Sequence, residues 1–326
     1  MTMTTMLPFP KIRQFRDVVR TVREASGVHR PTLAFRGAVK LHGSNTAAVR
    51  WPDGTVTLQS RNRTLSTARD HLGFATWIEE TLGDEGLRDL IPFPDADEPV
   101  AVYGEWCGEG IQQGVAISEL PKMWVVFAVR IGEDRWLDPD EVAAVARPEL
   151  GVRNIWHHQS FRLDIDFERP DAAREELIAA TRAVEARCPV AADLGVEGTG
   201  EGVVWRCVDE DWLGSALWFK VKGEQHSASR VSTLAPADAE KLASVDAFVD
   251  ATLTEHRLLQ AVEWLREQQR PIDRSATGDL LRWLFQDIRT EEADTIEASG
   301  LSPKAINPII ARRAKQWFFH YLDTTF

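Results

Sequence analysis

Short valine-rich segments recur between residues 32 and 222, and no such segment is predicted after about residue 232. Examples are TLAFRGAVK at 32–40, PVAVYGEW at 99–106, MWVVFAVRI at 123–131, EGVVWRCV at 201–208 and SALWFKVK at 215–222. Apolar runs of this length that are bounded by polar or turn residues are typical of β-strands. The sequences NTAAVRW and TVTLQS flank a Pro-Asp-Gly turn at 52–54, which predicts a hairpin. The N-terminal part of the chain is therefore predicted to be rich in antiparallel strands.

Helical spacing of apolar residues predicts helices at 8–26 and 171–187, and then at 238–269, 277–298 and 303–323. Ser302 followed by Pro303 is a favoured start for the last of these helices. The pattern thus changes near residue 232 from mixed to purely helical. This change predicts an α+β domain over 1–232 and a small all-α domain over 233–326.

The composition indicates an ordinary globular chain with an uneven distribution of charge. The net charge of the 326 residues is −12, yet residues 1–75 contain 12 Lys and Arg against 4 Asp and Glu. Nucleic-acid binding usually leaves a basic footprint, so the N-terminal excess is either a solvated face or a local binding patch. Three widely spaced cysteines support neither a disulfide framework nor a zinc site, and are expected to be buried thiols.

No window approaches the roughly 18 apolar residues of a membrane span, and the N-terminus does not read as a signal peptide. A soluble, cytoplasmic protein with no membrane partner is therefore expected.

Polar residues gather at the ends of the predicted strands. They are Lys40, His42, Asn45, Arg61, Glu105, Glu201, Lys220 and Lys222. Lys220 and Lys222 lie two residues apart on one strand, so both side chains project from one face, where like charges repel unless an anion is bound. A lysine amine is a nucleophile only when neutral, and adjacent positive charge favours the neutral form. The set suits attack by Lys40 on a phosphorus atom, with a divalent metal near Glu201.

The same segments resemble a known superfamily. KLHGSN, YGEW, FAVR, EGVV and FKVKG, in that order, look like motifs I, III, IIIa, IV and V of the covalent nucleotidyltransferases, which comprise polynucleotide ligases and RNA capping enzymes. DNA ligases and capping enzymes typically read KxDGxR at the first motif. KxHGxN instead resembles the phage-type double-strand RNA ligases, which include the trypanosome editing ligases.

The resemblance implies an ATP-grasp-like nucleotidyltransferase domain of antiparallel sheets with flanking helices, and an ATP-dependent RNA ligase that acts in RNA repair. Lys40 would attack the ATP α-phosphate to form lysyl-AMP. Glu105 would bind the ribose, and Phe127 would stack on adenine.

In the same way, Lys220 and Lys222 would hold the α-phosphate, and Glu201 would serve a Mg²⁺ (or Mn²⁺) ion. His42, Asn45 and Arg61 would act mainly in the later steps. The implied partner is RNA with 3′-OH and 5′-phosphate ends, a nicked duplex being the expected form, and no obligate protein partner is implied.

Two other functions stay open at this point. The first is a lysine-adenylylating ligase for DNA or mixed ends. The second is a non-catalytic module that binds a nucleotide or RNA, although binding alone would not require Lys40.

Overall fold

The computed structural model describes residues 6–27, 29–212, 214–223 and 244–325. The chain divides into two compact units, residues 1–223 and residues 224–326. The domain boundary predicted near residue 232 lies outside the described residues.

The first unit contains strands β1 to β11. Their bounds are β1 (Thr32–Val39), β2 (Ser44–Arg50), β3 (Val56–Ser60), β4 (Thr64–Leu65), β5 (Val100–Cys107), β6 (Met123–Ile131), β7 (Arg135–Trp136), β8 (Val152–Asn154), β9 (Ser160–Asp166), β10 (Gly202–Cys207) and β11 (Phe219–Lys222). The valine-rich segments quoted above are confirmed as strands, although SALWFKVK is a strand only from Phe219 onward. Before it, Ser215–Leu217 forms a short 3₁₀ turn.

These strands form two sheets. The four-stranded sheet has the order β11-β10-β1-β9, and the seven-stranded sheet has the order β4-β3-β2-β5-β6-β7, with β8 paired to β6. Every pairing in both sheets is antiparallel except that of β6 with β8. The predicted α+β class with antiparallel sheets is therefore confirmed.

Six helices flank the sheets within the described part of this unit. They are α1 (Phe15–Ala25), α2 (Phe74–Thr81), α3 (Gly83–Leu90), α4 (Pro139–Ala143), α5 (Arg174–Ala186) and α6 (Pro189–Asp193). The helix predicted to begin at residue 8 begins instead at Phe15, so its predicted start was wrong. Pro8 and Pro10 lack the backbone N–H that a helix interior requires, and residues 6–14 pack against the sheets in an irregular conformation.

Both faces of the seven-stranded sheet are covered. One face packs with α2, α3 and α4 around a core that includes Trp106 and Trp124. The other face carries a second cluster that includes Phe9, Tyr103 and Trp218. The three cysteines, Cys107, Cys188 and Cys207, are free and buried, as predicted.

The described residues of the second unit form helices joined by short turns. Its helices are α7 (Val245–Thr252), α8 (Glu255–Glu267), α9 (Thr277–Glu291), α10 (Ala293–Ala298) and α11 (Pro303–Thr325). The start of the helical pattern predicted at 238–269 lies outside the described residues, and the rest of that pattern forms two helices. Among the helices that the structure describes, none is long and apolar enough to cross a bilayer.

Candidate active site

A buried carboxylate, that of Glu201, lies at the centre of a cluster of cationic groups. One of its oxygens, Oε2, is 2.5 Å from Lys40 Nζ, and the other, Oε1, is 2.6 Å from Lys222 Nζ. His42 Nδ1 lies 3.5 Å from the same Oε2 atom. The Glu201 side chain is only 1% exposed. The structure thus brings four of the predicted site residues into direct contact.

The antiparallel order of three strands creates this cluster. At the end of β1, Lys40 donates its backbone N–H to the carbonyl of Gly202 at 2.8 Å. Gly202 is paired in turn with Lys222 of β11. Residues 161 positions apart in the chain therefore become neighbours. Gly202 has a φ of +146°, and a Cβ there would collide with the carbonyl of Val221, so this close approach requires glycine.

Electrostatics keep Glu201 ionised. Burial by itself would raise the pKa of its carboxyl group, but the ammonium groups of Lys222 and Lys40, together with His42, outweigh burial and hold that pKa well below its usual range. The carboxylate also lies between two lysines that would otherwise repel. These two lysines are Lys40 and Lys222, whereas the sequence led us to expect an anion between Lys220 and Lys222.

Glu105 is the second acidic residue of the site. Its carboxylate accepts a hydrogen bond of 3.0 Å from the backbone N–H of Gly43. Glu105 lies on β5, where it is paired with Asn45 of the neighbouring strand β2. Burial raises the pKa of Glu105; Lys40 opposes this rise, and the charge of Glu201 adds to it. Nearby positive charge therefore stabilises the ionised form of Glu105.

Gly43 allows the first motif to approach β5 closely. A Cβ on this residue would collide with the carbonyl of Trp106 and would lie 2.8 Å from the Cβ of Cys107. Any larger residue would push the loop away from β5. The backbone N–H of residue 43 would then lose its hydrogen bond to the Glu105 carboxylate. A collision with backbone is costly because neighbouring side-chain rotamers cannot relieve it.

Phe127 and Lys220 belong to different sheets. Phe127 lies on β6, is partly exposed, and packs edge-on against Phe9 with 5.0 Å between ring centroids. Lys220 lies on β11, where it is paired with Val204 of β10, and its side chain is on the same face as that of Lys222. Phe127 therefore lies on the seven-stranded sheet and Lys220 on the four-stranded sheet.

Three arginines of the basic N-terminal region have different environments. Arg36 forms an ion pair of 2.6 Å with Asp140. Arg50 is buried and donates to backbone carbonyls at 91–93. Arg61, in contrast, is exposed at the end of β3, and its charge acts on Glu105. Of these three residues, Arg61 is the one that faces the solvent near the site.

A buried Ser-His pair supports the first motif and was not predicted from the sequence. Ser44 Oγ lies 2.5 Å from His71 Nε2, and both residues are buried. The loop that carries His71 is held by Asp70, whose carboxylate accepts from the N–H groups of His71, Ala75 and Thr76. Only an Asp-His-Leu-Gly stretch ahead of a helix hints at this arrangement in the sequence.

We expect His71 to make stability depend on pH. Burial, helped by the charge of Arg63 and opposed by Asp70, lowers the pKa of His71 from 6.5 to about 4. Because the pKa is lower in the folded state, the unfolded chain takes up the proton at a higher pH than the folded chain does. The stabilisation present above pH 6.5 is therefore lost as the pH falls towards 4. The loss is about 3 kcal/mol. Urea unfolding at several pH values should show this slope in the wild type, and His71→Gln should flatten it. An equally steep slope in the variant would assign the effect to other groups.

The site carboxylates are the candidate ligands for a metal ion. Over residues 6–27, 29–212, 214–223 and 244–325, no three His, Cys, Asp or Glu side chains converge as a metal-binding group. Mg²⁺ is commonly held by only one or two carboxylates together with substrate phosphates and water. Glu201 meets that requirement, provided that it gives up one of its lysine contacts.

Comparison with known families decides the class of protein. Residues 35–222 match the sequence model of the RNA ligase family, which is more than half of the chain. The chain belongs to the RNA ligase family. The matched range includes all the candidate site residues of this family member, from Lys40 to Lys222. No curated protein matches the chain at a significant level.

The solved structures that resemble this family member include several of the RNA ligase of Naegleria gruberi. One, with PPi, has 18% identity and a TM-score of 0.46, and the match covers 68% of this chain and 57% of that one. A point mutant of the same ligase with ATP and Mn has 20% identity and a TM-score of 0.44, covering 67% of this chain and 57% of that one. The present chain thus matches less than two thirds of the length of that ligase.

Proposed function

We propose that this chain is an ATP-dependent RNA ligase of the phage-type double-strand class. It would seal 3′-OH and 5′-phosphate RNA ends through lysyl-AMP and RNA-adenylate intermediates. The observation that carries the proposal is the contact of Lys40 and Lys222 with the two oxygens of buried Glu201. A lysine that served only solubility would extend into water, because burying a charge is costly unless it is paired with an opposite charge. Membership in the RNA ligase family supports the same class of reaction.

The nucleotide would bind through four residues. Lys220 and Lys222, on one face of β11, would hold the α-phosphate oxygens of ATP. Phe127 would stack on adenine with its partly exposed ring, a contact of about 1–3 kcal/mol. Glu105 would accept hydrogen bonds from the ribose hydroxyls.

Lys40 would carry out the first step. Its Nζ would attack the α-phosphorus, forming a P–N bond while the bond from that phosphorus to the bridging oxygen breaks and pyrophosphate leaves. The amine must lose a proton before it attacks. Glu201 Oε2, 2.5 Å from Nζ, is the carboxylate oxygen in contact with it and would orient it for this step.

Glu201 would also serve the metal ion, for which we propose Mg²⁺ or Mn²⁺. A divalent cation, when bound, would neutralise charge on the phosphate under attack. The ionised state of Glu201 suits this role, because magnesium ligands are charged or polar oxygens.

RNA would enter in the later steps. The 5′-phosphate would take the AMP from Lys40, and the 3′-OH would then attack the activated phosphate and release AMP. We propose that His42, Asn45 and Arg61 orient these ends, with a nicked duplex as the preferred substrate. Residues 1–232 would form the adenylyltransferase domain and 233–326 a separate helical domain. RNA repair in the cytoplasm, where ATP and RNA meet, is the proposed setting.

Incubation with ATP labelled at the α-phosphate and with Mg²⁺ tests the proposal. We expect a covalent label on the protein, release of pyrophosphate, and sealing of a nicked RNA duplex. Sealing of nicked DNA or mixed junctions in place of RNA would favour the alternative ligase. Nucleotide binding without release of pyrophosphate would indicate a non-catalytic module and would contradict the proposal.

A further inference from the structure

Residues 6–14, which we call the N-terminal strap, are attached at one end to the seven-stranded sheet. The backbone N–H of Leu7 donates to Gln59 Oε1 at 3.1 Å. Its carbonyl accepts from Gln59 Nε2 at 2.5 Å and from the hydroxyl of Tyr103 at 2.9 Å. Gln59 belongs to β3 and Tyr103 to β5, so two strands of this sheet hold Leu7.

The other end of the strap is attached to the four-stranded sheet. Arg13 donates its backbone N–H to the carbonyl of Trp218 at 3.1 Å, and its own carbonyl accepts from the N–H of Lys220 at 3.0 Å. Arg13 and Phe219 form a parallel bridge. The strap therefore adds a short strand-like contact to β11, the strand that carries Lys220 and Lys222.

Between these two attachments, the ring of Phe9 fills the space between the sheets. It lies 5.0 Å from the ring of Phe127, 5.1 Å from Tyr103, 5.8 Å from Trp136 and 5.9 Å from Trp218. Phe9 is 8% exposed. Trp218 directly precedes β11, whereas the other three rings belong to the seven-stranded sheet. Phe9 is therefore a wedge that contacts both sheets.

The strap thus contacts both halves of the proposed nucleotide site. Phe9 packs edge-on against Phe127, the residue proposed to stack on adenine. Arg13 binds the backbone of Lys220, proposed to hold the α-phosphate. Adenine and the α-phosphate are joined covalently, so ATP can use both residues only when their separation is correct.

We propose that the N-terminal strap is a positioning element for ATP, with Phe9 holding Phe127 at the correct distance from Lys220 and Lys222. This inference rests on the proposed function. Phe9 is a positioning residue, since it acts through Phe127, whose ring remains partly exposed on β6. The strap is a part of the chain that lies ahead of the matched family range at residues 35–222.

The test compares Phe9→Ala with Phe9→Leu and with the control Phe167→Ala in the full chain. Phe167 is 0% exposed, against 8% for Phe9, and its ring packs against Phe35 rather than against the four rings around Phe9. The rate of covalent labelling is measured against ATP concentration, alongside thermal unfolding of each variant. We expect Phe9→Ala to raise the half-saturating ATP concentration about three- to tenfold, in line with the loss of an aromatic pair. The rate at saturating ATP should stay within about threefold of the wild type.

Phe9→Leu should recover most of the ATP affinity, because leucine still fills much of the wedge. Phe167→Ala should lower the unfolding temperature while leaving the ATP dependence unchanged. Should Phe9→Ala fail to fold, Gln59→Leu removes both Gln59 hydrogen bonds to Leu7 with little change in volume, and should raise half-saturation about twofold.

Three results would overturn the inference. The first is an unchanged ATP dependence in a folded Phe9→Ala or Gln59→Leu variant that still becomes labelled. The second is an equal shift in Phe167→Ala, which would mean that any loss of core packing has this effect. The third, no labelling of the wild type, would overturn the proposed function itself, and the inference with it.

Discussion

Replacing Lys40 with alanine is expected to abolish covalent labelling of the chain by ATP labelled at its α-phosphate. Alanine has no group that can form the P–N bond, so the loss should be complete rather than partial. Lys40→Arg should fail as well, because a guanidinium group keeps its charge in proteins and is not a nucleophile. Labelling followed on a denaturing gel, with release of pyrophosphate measured in parallel, checks both variants.

Lys122→Ala is a suitable control, because Lys122 is an exposed lysine of the same unit. It should become labelled at the wild-type rate. Both Lys40 variants should still bind ATP, since Lys220, Lys222 and Phe127 are unchanged. A label that persists in Lys40→Ala would show that another residue is the nucleophile.

Glu201→Gln is expected to reduce both activity and stability. The amide has nearly the shape of the carboxylate but no charge, so Lys40 and Lys222 would face each other without their shared counter-ion. Removing one partner from a buried ion cluster typically costs about 3–5 kcal/mol. Since the lysine side chains are 22% and 15% exposed and can reach water, we expect a loss of roughly 2–3 kcal/mol in the free energy of unfolding. Labelling should fall by about 10²-fold, as for other lost electrostatic groups.

Urea unfolding and the labelling rate measure the two effects separately. Glu197→Gln serves as the control, because Glu197 also pairs with a cation, Arg187, but at the surface. It should change neither quantity appreciably. Wild-type stability and labelling in Glu201→Gln would contradict the central position of this carboxylate.

The strands of the first unit could be predicted well because their apolar runs end sharply. The segment predicted at 32–40 is observed as Thr32–Val39, and the segment at 123–131 has its predicted bounds. In contrast, Ser160–Asp166 was missed because its sequence SFRLDID contains no valine and no apolar run, although its alternation of apolar and polar residues is itself a strand pattern. Its place in the sheet comes from pairing with β1 along seven residues.

The N-terminal segment shows how packing overrides local pattern. Ile12 and Phe15 have helical spacing with the valines that follow, so the sequence favoured one helix from residue 8. The helix begins at Phe15, and the residues before it form the strap, where Phe9 is buried among four aromatic rings from distant strands. Spacing along the chain contains no information about those rings.

The order and types of the residues by themselves determined the α+β class, the family and the candidate residues from Lys40 to Lys222, because strand periodicity and motifs are local properties. Only the tertiary structure decided that Glu201 lies between Lys40 and Lys222, that Gly43 donates to Glu105, and that the strap joins the two sheets. These contacts depend on which strands pair and in which register. Strand pairing joins residues more than 60 positions apart, as with Gly43 and Glu105, and a local pattern does not specify such a partner.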